Sequence, residues 1–486
     1  MSEQYEKSGR CHLKITNALI VDGSGNPAYS GDVAVEGDSI AAVGDLRNWR
    51  ADDTVDVAGC VAAPGFIDVH THDDLAALKT PDMSYKASQG VTTVIAGNCG
   101  LSIAPFESGK GFPPPFPVIG KESEFAFPSV ADYRAELKKN PPSLNLALLA
   151  GHSSIRVSVM GESLNRAASK SEIDTMQIKL RAALSEGCIG MSTGLDYMPA
   201  NDAPTDEVVA LARVLSEFDE RIYTTHMRNE SDRVLEAVEE TLEIGRRAKA
   251  SVVISHHKCS GPKNYGRSVE TLAAIERGRK QQAVGLDVYP YIASSTALLA
   301  KYIRESEKVL VAFSDPHPHM AGRELHDIAQ EWDCTIEEAA EQLYPAGAVY
   351  FQMDETDLER IMAYPPTMIG SDGLPGTGKP HPRLWGTFPR VLGRYVREKN
   401  LLTLEQAVHK MTGLSAETFK IKNRGLIKSG YCADITIFNP KTVIDRASYD
   451  QPETPSDGIH SVYVNGRLVW NDGKHTGARS GVFLQG

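Results

Sequence analysis

The chain has 486 residues, 41% hydrophobic and 23% charged, which suits one large soluble domain with a smaller one attached. Its formal net charge of −12 argues against nucleic acid as a partner, because phosphate backbones are bound by clustered Lys and Arg. The opening MSEQYEKSGR lacks the apolar stretch of a signal peptide, no apolar run reaches membrane-spanning length, and seven scattered cysteines form no disulfide framework, so a reduced, cytoplasmic protein is expected.

Residues 12–63 read as short β segments, HLKITNALIV, DVAVEG and SIAAVG, punctuated by Gly and Asp. Strand and helix then alternate. The candidate strands are GFIDVHTH (65–72), VTTVIAGNC (91–99), NLALLAGHS (145–153), GCIGMSTG (187–194), RIYTTHM (221–227), SVVISHHK (251–258), AVGLDVYPY (283–291) and TMIGSD (367–372). Ser169 to Glu172 is a capping box opening an amphipathic run to Glu186, and helical patterns fill 232–250 and 267–283. Eight strands alternating with helices predict a (β/α)8 TIM-like barrel. A doubly wound open sheet is the alternative, but no G-x-G-x-x-G turn follows the first strand.

Between Tyr291 and Thr367 the connection is far longer than a barrel needs, with helical pieces such as GRELHDIAQEW. Long connections are usually lids or binding loops, and this one belongs at the C-terminal ends of the strands, where such barrels carry their active sites. A β texture returns in GYCADITIFNP and HSVYVNGRLVWNDG. The expected organisation is a small β-sandwich from 1–63 plus 424–486, a catalytic barrel over 64–423, and a lid insertion over 292–366.

In GFIDVHTHDD, side chains alternate between faces, so Asp68, His70 and His72 point the same way out of an apolar strand. An isolated H-x-H is commonly a surface edge or a satisfied core pair. Here other strands end in partners of metal-ligand type: Cys99 after strand two, His226 after five, His256 after six and Asp372 after eight. Cys99, His226 and His256 suit Zn2+, and His70, His72 and Asp372 form a second nest beside them. Asp68 is expected to orient a ligand histidine. His257 faces away from His256 and reads as a packing or surface residue, Cys188 reads as packing, and His152, ending strand three, is an outlying candidate to support a ligand or donate to the transition state.

GFIDVHTHDD, strand-ending His226 and His256, and GSDG around Asp372 resemble the metal-dependent amidohydrolase superfamily. GNCG, STGLDYMPA, THMRNE, SHHK, VYPY and GSDGLPGTGKPHPRLWGTFPRVLGRYVREKN are similar, more closely, to the N-acyl-D-amino-acid deacylases, along essentially the whole chain. The resemblance implies a tightly held zinc on Cys99, His226 and His256, and a weaker position at His70, His72 and Asp372. It places Cys99 where many relatives use a carboxylated lysine.

The chemistry implied is hydrolysis of a linear amide, with Asp372 as general acid/base. A free D-amino acid is one product, and the D-configuration comes from the resemblance alone. Lys258 shares a face with His256, and with Tyr289, Ser295 and Arg383 it is expected to bind the substrate α-carboxylate; Arg383 reads equally as a structural ion pair. Lys301 and Arg304 either meet an acidic substrate side chain, as in an N-acyl-D-glutamate or N-acyl-D-aspartate deacylase, or are ordinary surface charges. A dihydroorotase- or hydantoinase-like enzyme would share barrel and chemistry, but its usual lysine after strand four has no counterpart. A non-catalytic relative would have eroded ligands, and every one is present. The expected partner is a small-molecule substrate, without nucleic acid or membrane; oligomeric state is not legible.

Overall fold

The computed structural model describes residues 9–376 and 378–486. Eight strands pair in parallel in chain order: β1 (Phe66–Asp68), β2 (Val91–Ala96), β3 (Asn145–Gly151), β4 (Gly190–Gly194), β5 (Ile222–His226), β6 (Ser251–Ile254), β7 (Val284–Val288) and β8 (Thr367–Ile369). The two ends of this sheet meet. Thr71, just past β1, bridges Gly373, just past β8, and the Asp372 amide donates to the His70 carbonyl at 2.8 Å. The sheet is therefore a closed (β/α)8 barrel, and the open-sheet alternative falls. β2, β3 and β7 are buried along their whole length, as a parallel sheet covered on both faces requires.

The crossover helices form where the sequence carries their signals. The Ser169 hydroxyl accepts from the Glu172 amide and the Glu172 carboxylate accepts from the Ser169 amide, at 3.3 and 2.7 Å, opening helix Lys170–Ser185. Helix Val234–Ala248 buries Val234, Ala237, Val238, Thr241, Leu242 and Ile244, one face at helical spacing, with Ser268–Arg279 packed beside it.

The chain's two ends build a nine-stranded sheet. Arg10–Ile20, Tyr29–Glu36, Ser39–Gly44, Arg50–Asp56 and Val61–Pro64 join Ile435–Phe438, Ile459–Val464, Arg467–Asn471 and Lys474–His475. It curls until Ser39 bridges Cys432, around a core holding Leu13, Ile15, Val33, Ile435 and Ile437. The extreme C-terminus leaves this unit. Phe483–Leu484 pairs with the first half of β3, below the point where β4 begins, and so helps fill the barrel floor.

The long connection after β7 holds a three-stranded antiparallel sheet, with Ala346–Phe351 between Ala293–Ala297 and Lys308–Ser314, and the short helices Ala300–Arg304, Leu325–Glu331 and Ile336–Leu343. Its apolar core, built on Tyr302, Val311, Leu325 and Tyr350, reaches Cys99 and Tyr197 at the barrel mouth. Helix Glu355–Ala363, inside the expected 292–366 stretch, instead packs against Ser268–Arg279 and leads into β8, the position of a seventh barrel helix. No helix among the described residues is long and apolar enough to cross a membrane, and the cysteines are all free.

Candidate active site

The ends of the strands converge on one buried nest. Ligand atoms of His70, Cys99, His256 and Asp372 all lie within 4.8 Å of one another, as do those of His226, Glu230 and His256. Cys99 Sγ sits between His70 Nε2 at 3.3 Å and His256 Nε2 at 3.4 Å. Asp372 Oδ1 stands 3.5 Å from His70 Nε2 and 3.4 Å from His72 Nε2. The two ligand sets read from the sequence therefore share a single nest, with Cys99 at its middle.

Local backbone conformation aims these groups. Cys99, His256 and Asp372 all have positive φ, at 53°, 35° and 49°, a region that ordinary residues occupy at a cost and that clusters at functional sites. Each follows a strand and turns its side chain across the mouth. In Gly97-Asn98-Cys99-Gly100, a Cβ on Gly97 would lie 2.2 Å from the Leu149 carbonyl oxygen, so only glycine lets the turn hug β3.

The residues fit a cation. Both ring nitrogens of His226 and Nδ1 of His72 are buried without a hydrogen-bond partner, and orphaned buried imidazole nitrogens beside a thiol and a carboxylate form a metal donor set. Burial opposes ionisation of Cys99, yet the charges of His70 and His256 and contacts from His226 and His256 hold its thiol well below the usual cysteine range. Burial likewise disfavours charged imidazoles, but Asp372 and Cys99 bring His72 to about 9, while Glu230, Asp196 and Cys99 bring His226 to about 9. The same negative field attracts a divalent cation, whose binding displaces those protons.

Around this nest lie carboxylates that the sequence reading missed. Asp287, next to last in β7, approaches His70 Nδ1 at 3.4 Å and accepts from the His256 amide at 3.0 Å. Asp68, expected to orient a ligand histidine, accepts from the His70 amide at 3.4 Å, and also from Lys86 Nζ at 2.7 Å and the Ser371 amide at 2.8 Å. Glu230 bonds Lys258 Nζ at 2.7 Å and faces His256 Nδ1 at 3.0 Å. Asp196 pairs with Lys301 and stands 3.7 Å from His226.

The expected carboxylate binders also gather here. Lys258 donates to Glu230 and lies 2.8 Å from His256 Nδ1. Arg383 is fully buried, with Nη2 2.9 Å from Asp372 and 3.1 Å from the Ser295 carbonyl, and its guanidinium stacks 4.5 Å over the Tyr289 ring. Its Nε and Nη1 have no partner. Lys258, Tyr289 and Ser295 line a narrow cavity with the metal-type ligands and with Tyr302 and Gln352 of the insertion. Arg304 is exposed and does not line it. His152 lies apart, 3.4 Å from Glu207 in a buried cluster with Arg156, and His257 turns outward to Thr271.

Lys86 is wholly buried between Asp68 and Asp73, and it also donates to Ser371 Oγ at 2.6 Å. Removing one member of a buried ion network leaves its partners uncompensated, at a cost of about 3–5 kcal/mol. Lys86→Met should therefore lower the unfolding temperature sharply, and adding Asp68→Asn should restore part of the loss. An unchanged melting curve for Lys86→Met would show that the network does not stabilise the barrel.

A closed barrel with histidines, a thiol and a carboxylate converging at its C-terminal mouth defines a metal-dependent hydrolase scaffold. The chain matches the profile of the Amidohydrolase family over residues 53–365 and 268–470, and it belongs to that family. It is 46% identical over 472 residues, 97% of each chain, to the D-aminoacylase of Alcaligenes xylosoxydans xylosoxydans. It is 45% identical over 464 residues to the N-acyl-D-aspartate deacylase of the same organism, covering 96% of this chain and 93% of that one. Among solved structures, a D-aminoacylase with a binuclear metal centre superposes with TM-score 0.95 at 46% identity, over 98% of this chain and 100% of that one. An N-acyl-D-glutamate deacylase from Bordetella bronchiseptica, holding zinc and a phosphonate mimic of the reaction's tetrahedral intermediate, superposes with TM-score 0.95 at 45% identity and the same coverage.

Proposed function

We propose that the protein hydrolyses N-acyl-D-amino acids to a carboxylic acid and a free D-amino acid, using zinc held by Cys99, His226 and His256, with His70, His72 and Asp372 forming a weaker second position. The observation that carries this reading is the cavity itself, where Lys258, Tyr289 and Ser295 stand beside the metal-type ligands with the buried Arg383 guanidinium packed behind them. A cavity so lined suits a ligand that brings an anionic acceptor. The α-carboxylate of an N-acyl amino acid is such an acceptor, and the similarity to three deacylase types supports the same substrate class.

Zinc, when bound, supplies polarisation of the amide carbonyl and a water acidic enough to be deprotonated near neutral pH. The chain's own groups do the rest. Asp372 takes the proton of the attacking water and delivers it to the leaving nitrogen. Arg383 holds Asp372 by one oxygen, leaving the other facing His70 and His72. Lys258, Tyr289, Ser295 and Arg383 hold the substrate carboxylate and so fix the scissile carbon. Asp287 keeps the His70 ring and the His256 backbone in place.

The insertion acts as a lid. The inner cavity offers only about 30 Å³, enough for water but not for substrate, and Ser294, Thr296 and Tyr302 of the insertion wall it. Uncharged D side chains should be preferred over acidic ones. Lys258 is the one Lys or Arg lining that cavity among the described residues, and the α-carboxylate engages it, leaving no second cation in the cavity for an acidic side chain. Lys301 is tied to Asp196.

A panel of N-acetyl-D-leucine, -methionine, -glutamate and -aspartate with their L-forms tests the reading directly. Turnover should be confined to D-forms and highest for leucine or methionine; turnover of the L-forms alone would overturn it. In addition, Lys258→Met should lose about 10- to 150-fold in kcat/KM, the equivalent of about 1.5–3 kcal/mol for one charge-assisted bond. That loss should shrink on a substrate whose carboxylate is amidated. An equal loss on both substrates would rule out direct contact.

A further inference from the structure

We infer that the protein accepts, and prefers, acyl groups longer than acetyl, seated in a second cavity that adjoins the reacting centre; this rests on the functional reading above. The second cavity has about 490 Å³, within the range of small-molecule sites. Leu75, Ala76, Phe112, Val118, Ala312 and Phe313 give it a largely apolar wall. It shares His72, Val118, Ser295, Thr296 and Leu374 with the inner cavity, so the two adjoin beside the nest.

Geometry assigns the acyl chain, not the amino-acid half, to this space. Lys258 follows β6 and Tyr289 follows β7, so the carboxylate end of the substrate lies on that side of the mouth. Of the second cavity's walls, Leu75 and Ala76 follow β1 and Phe112 and Val118 follow β2, the strand across the eight-membered ring from β6, while Ala312 and Phe313 after β7 and Leu374 after β8 close its other side. In a trans amide the acyl substituent and the amino-acid Cα lie on opposite sides of the C–N bond. A substrate anchored at Lys258 and Tyr289 with its carbonyl at the nest therefore extends its acyl chain past His72 toward β1 and β2. The D side chain branches from the carbon that bears the carboxylate and stays on the Lys258 side. The second cavity, at about 490 Å³, has room for an acyl tail.

The test is a chain-length series on the metal-loaded enzyme: N-acetyl-, N-butanoyl-, N-hexanoyl- and N-octanoyl-D-leucine. The value of kcat/KM should rise about two- to fourfold per methylene until the cavity is filled, the gain that burying a CH₂ group gives. In calorimetric titration, octanoate, a product acid, should bind more tightly than acetate. Ala76→Leu and Ala312→Leu should each flatten the series, lowering kcat/KM for the octanoyl substrate far more than for N-acetyl-D-leucine. A flat or falling series in the unmodified enzyme, equal binding of the two acids, or a gradient that survives both variants would overturn the assignment. Good turnover of N-acetyl-D-leucine with a flat series removes only the acyl site. Absence of hydrolysis throughout removes the functional reading and the acyl site with it.

Discussion

Purified Cys99→Ala should contain no tightly bound metal and show no turnover. Cys99 Sγ lies in reach of His70 and His256 at 3.3 and 3.4 Å, and a thiolate is the softest donor in the nest. Its loss removes the group on which both halves of the site converge, whereas losing a single histidine leaves the others in place. Alanine adds no steric conflict and accepts the positive φ of 53° about as poorly as cysteine does, so the fold should survive. Metal analysis after dialysis, run beside a thermal melt, separates loss of the ion from loss of the fold. Cys99→Asp, which restores a negative ligand, should recover some metal. A folded Cys99→Ala protein that keeps stoichiometric zinc and normal turnover would remove Cys99 from the site.

The barrel was legible because its strands are short runs alternating with helices, five of them closed at the C-terminal end by a metal-type ligand: His70 and His72, Cys99, His226, His256 and Asp372. Parallel strands buried on both faces leave few places for polar side chains, so His226, His256 and Asp372 stand out at the ends of theirs. The orienting groups were much less visible. Asp287 lies inside β7, where one carboxylate in an apolar run carries no sign of what it faces across the barrel. Glu230 follows His226 by four residues in a loop, beyond any periodic pattern. Asp68 had the same appearance as Asp287, and pleat alternation, which gives a face but not a depth, did not show that Asp68 meets the His70 backbone amide while Asp287 meets the ring. Lys86 sits on a four-residue helix, Ser84–Ala87, and its burial depends on Asp68 and Asp73 arriving from another element. Helix Glu355–Ala363 merged with the insertion before it, since both are helical and only packing against Ser268–Arg279 tells them apart. Phe483–Leu484 is a two-residue pairing with no signal of its own.

Asp372→Asn should slow turnover by about 10²–10⁴-fold, the usual scale of general acid–base catalysis, while tight zinc stays bound. The substitution is mild for the backbone, because asparagine tolerates the φ of 49° at this position as well as aspartate does. It is severe for the chemistry. Burial disfavours a charged carboxylate, yet Arg383, His70 and His256 hold Asp372 well below the ordinary carboxylate range, so it stands ionised and ready to take a proton. An amide in its place satisfies Arg383 with its oxygen and must then turn its NH₂ toward His70 and His72, where it can neither accept a proton nor serve as a ligand. The proposed tight ligands Cys99, His226 and His256 are untouched, which is why metal and activity should part company here and fall together in Cys99→Ala. Retention of the metal with a rate near normal would show that another group, of which Glu230 is the nearest ionised carboxylate to His226 and His256, moves the proton instead.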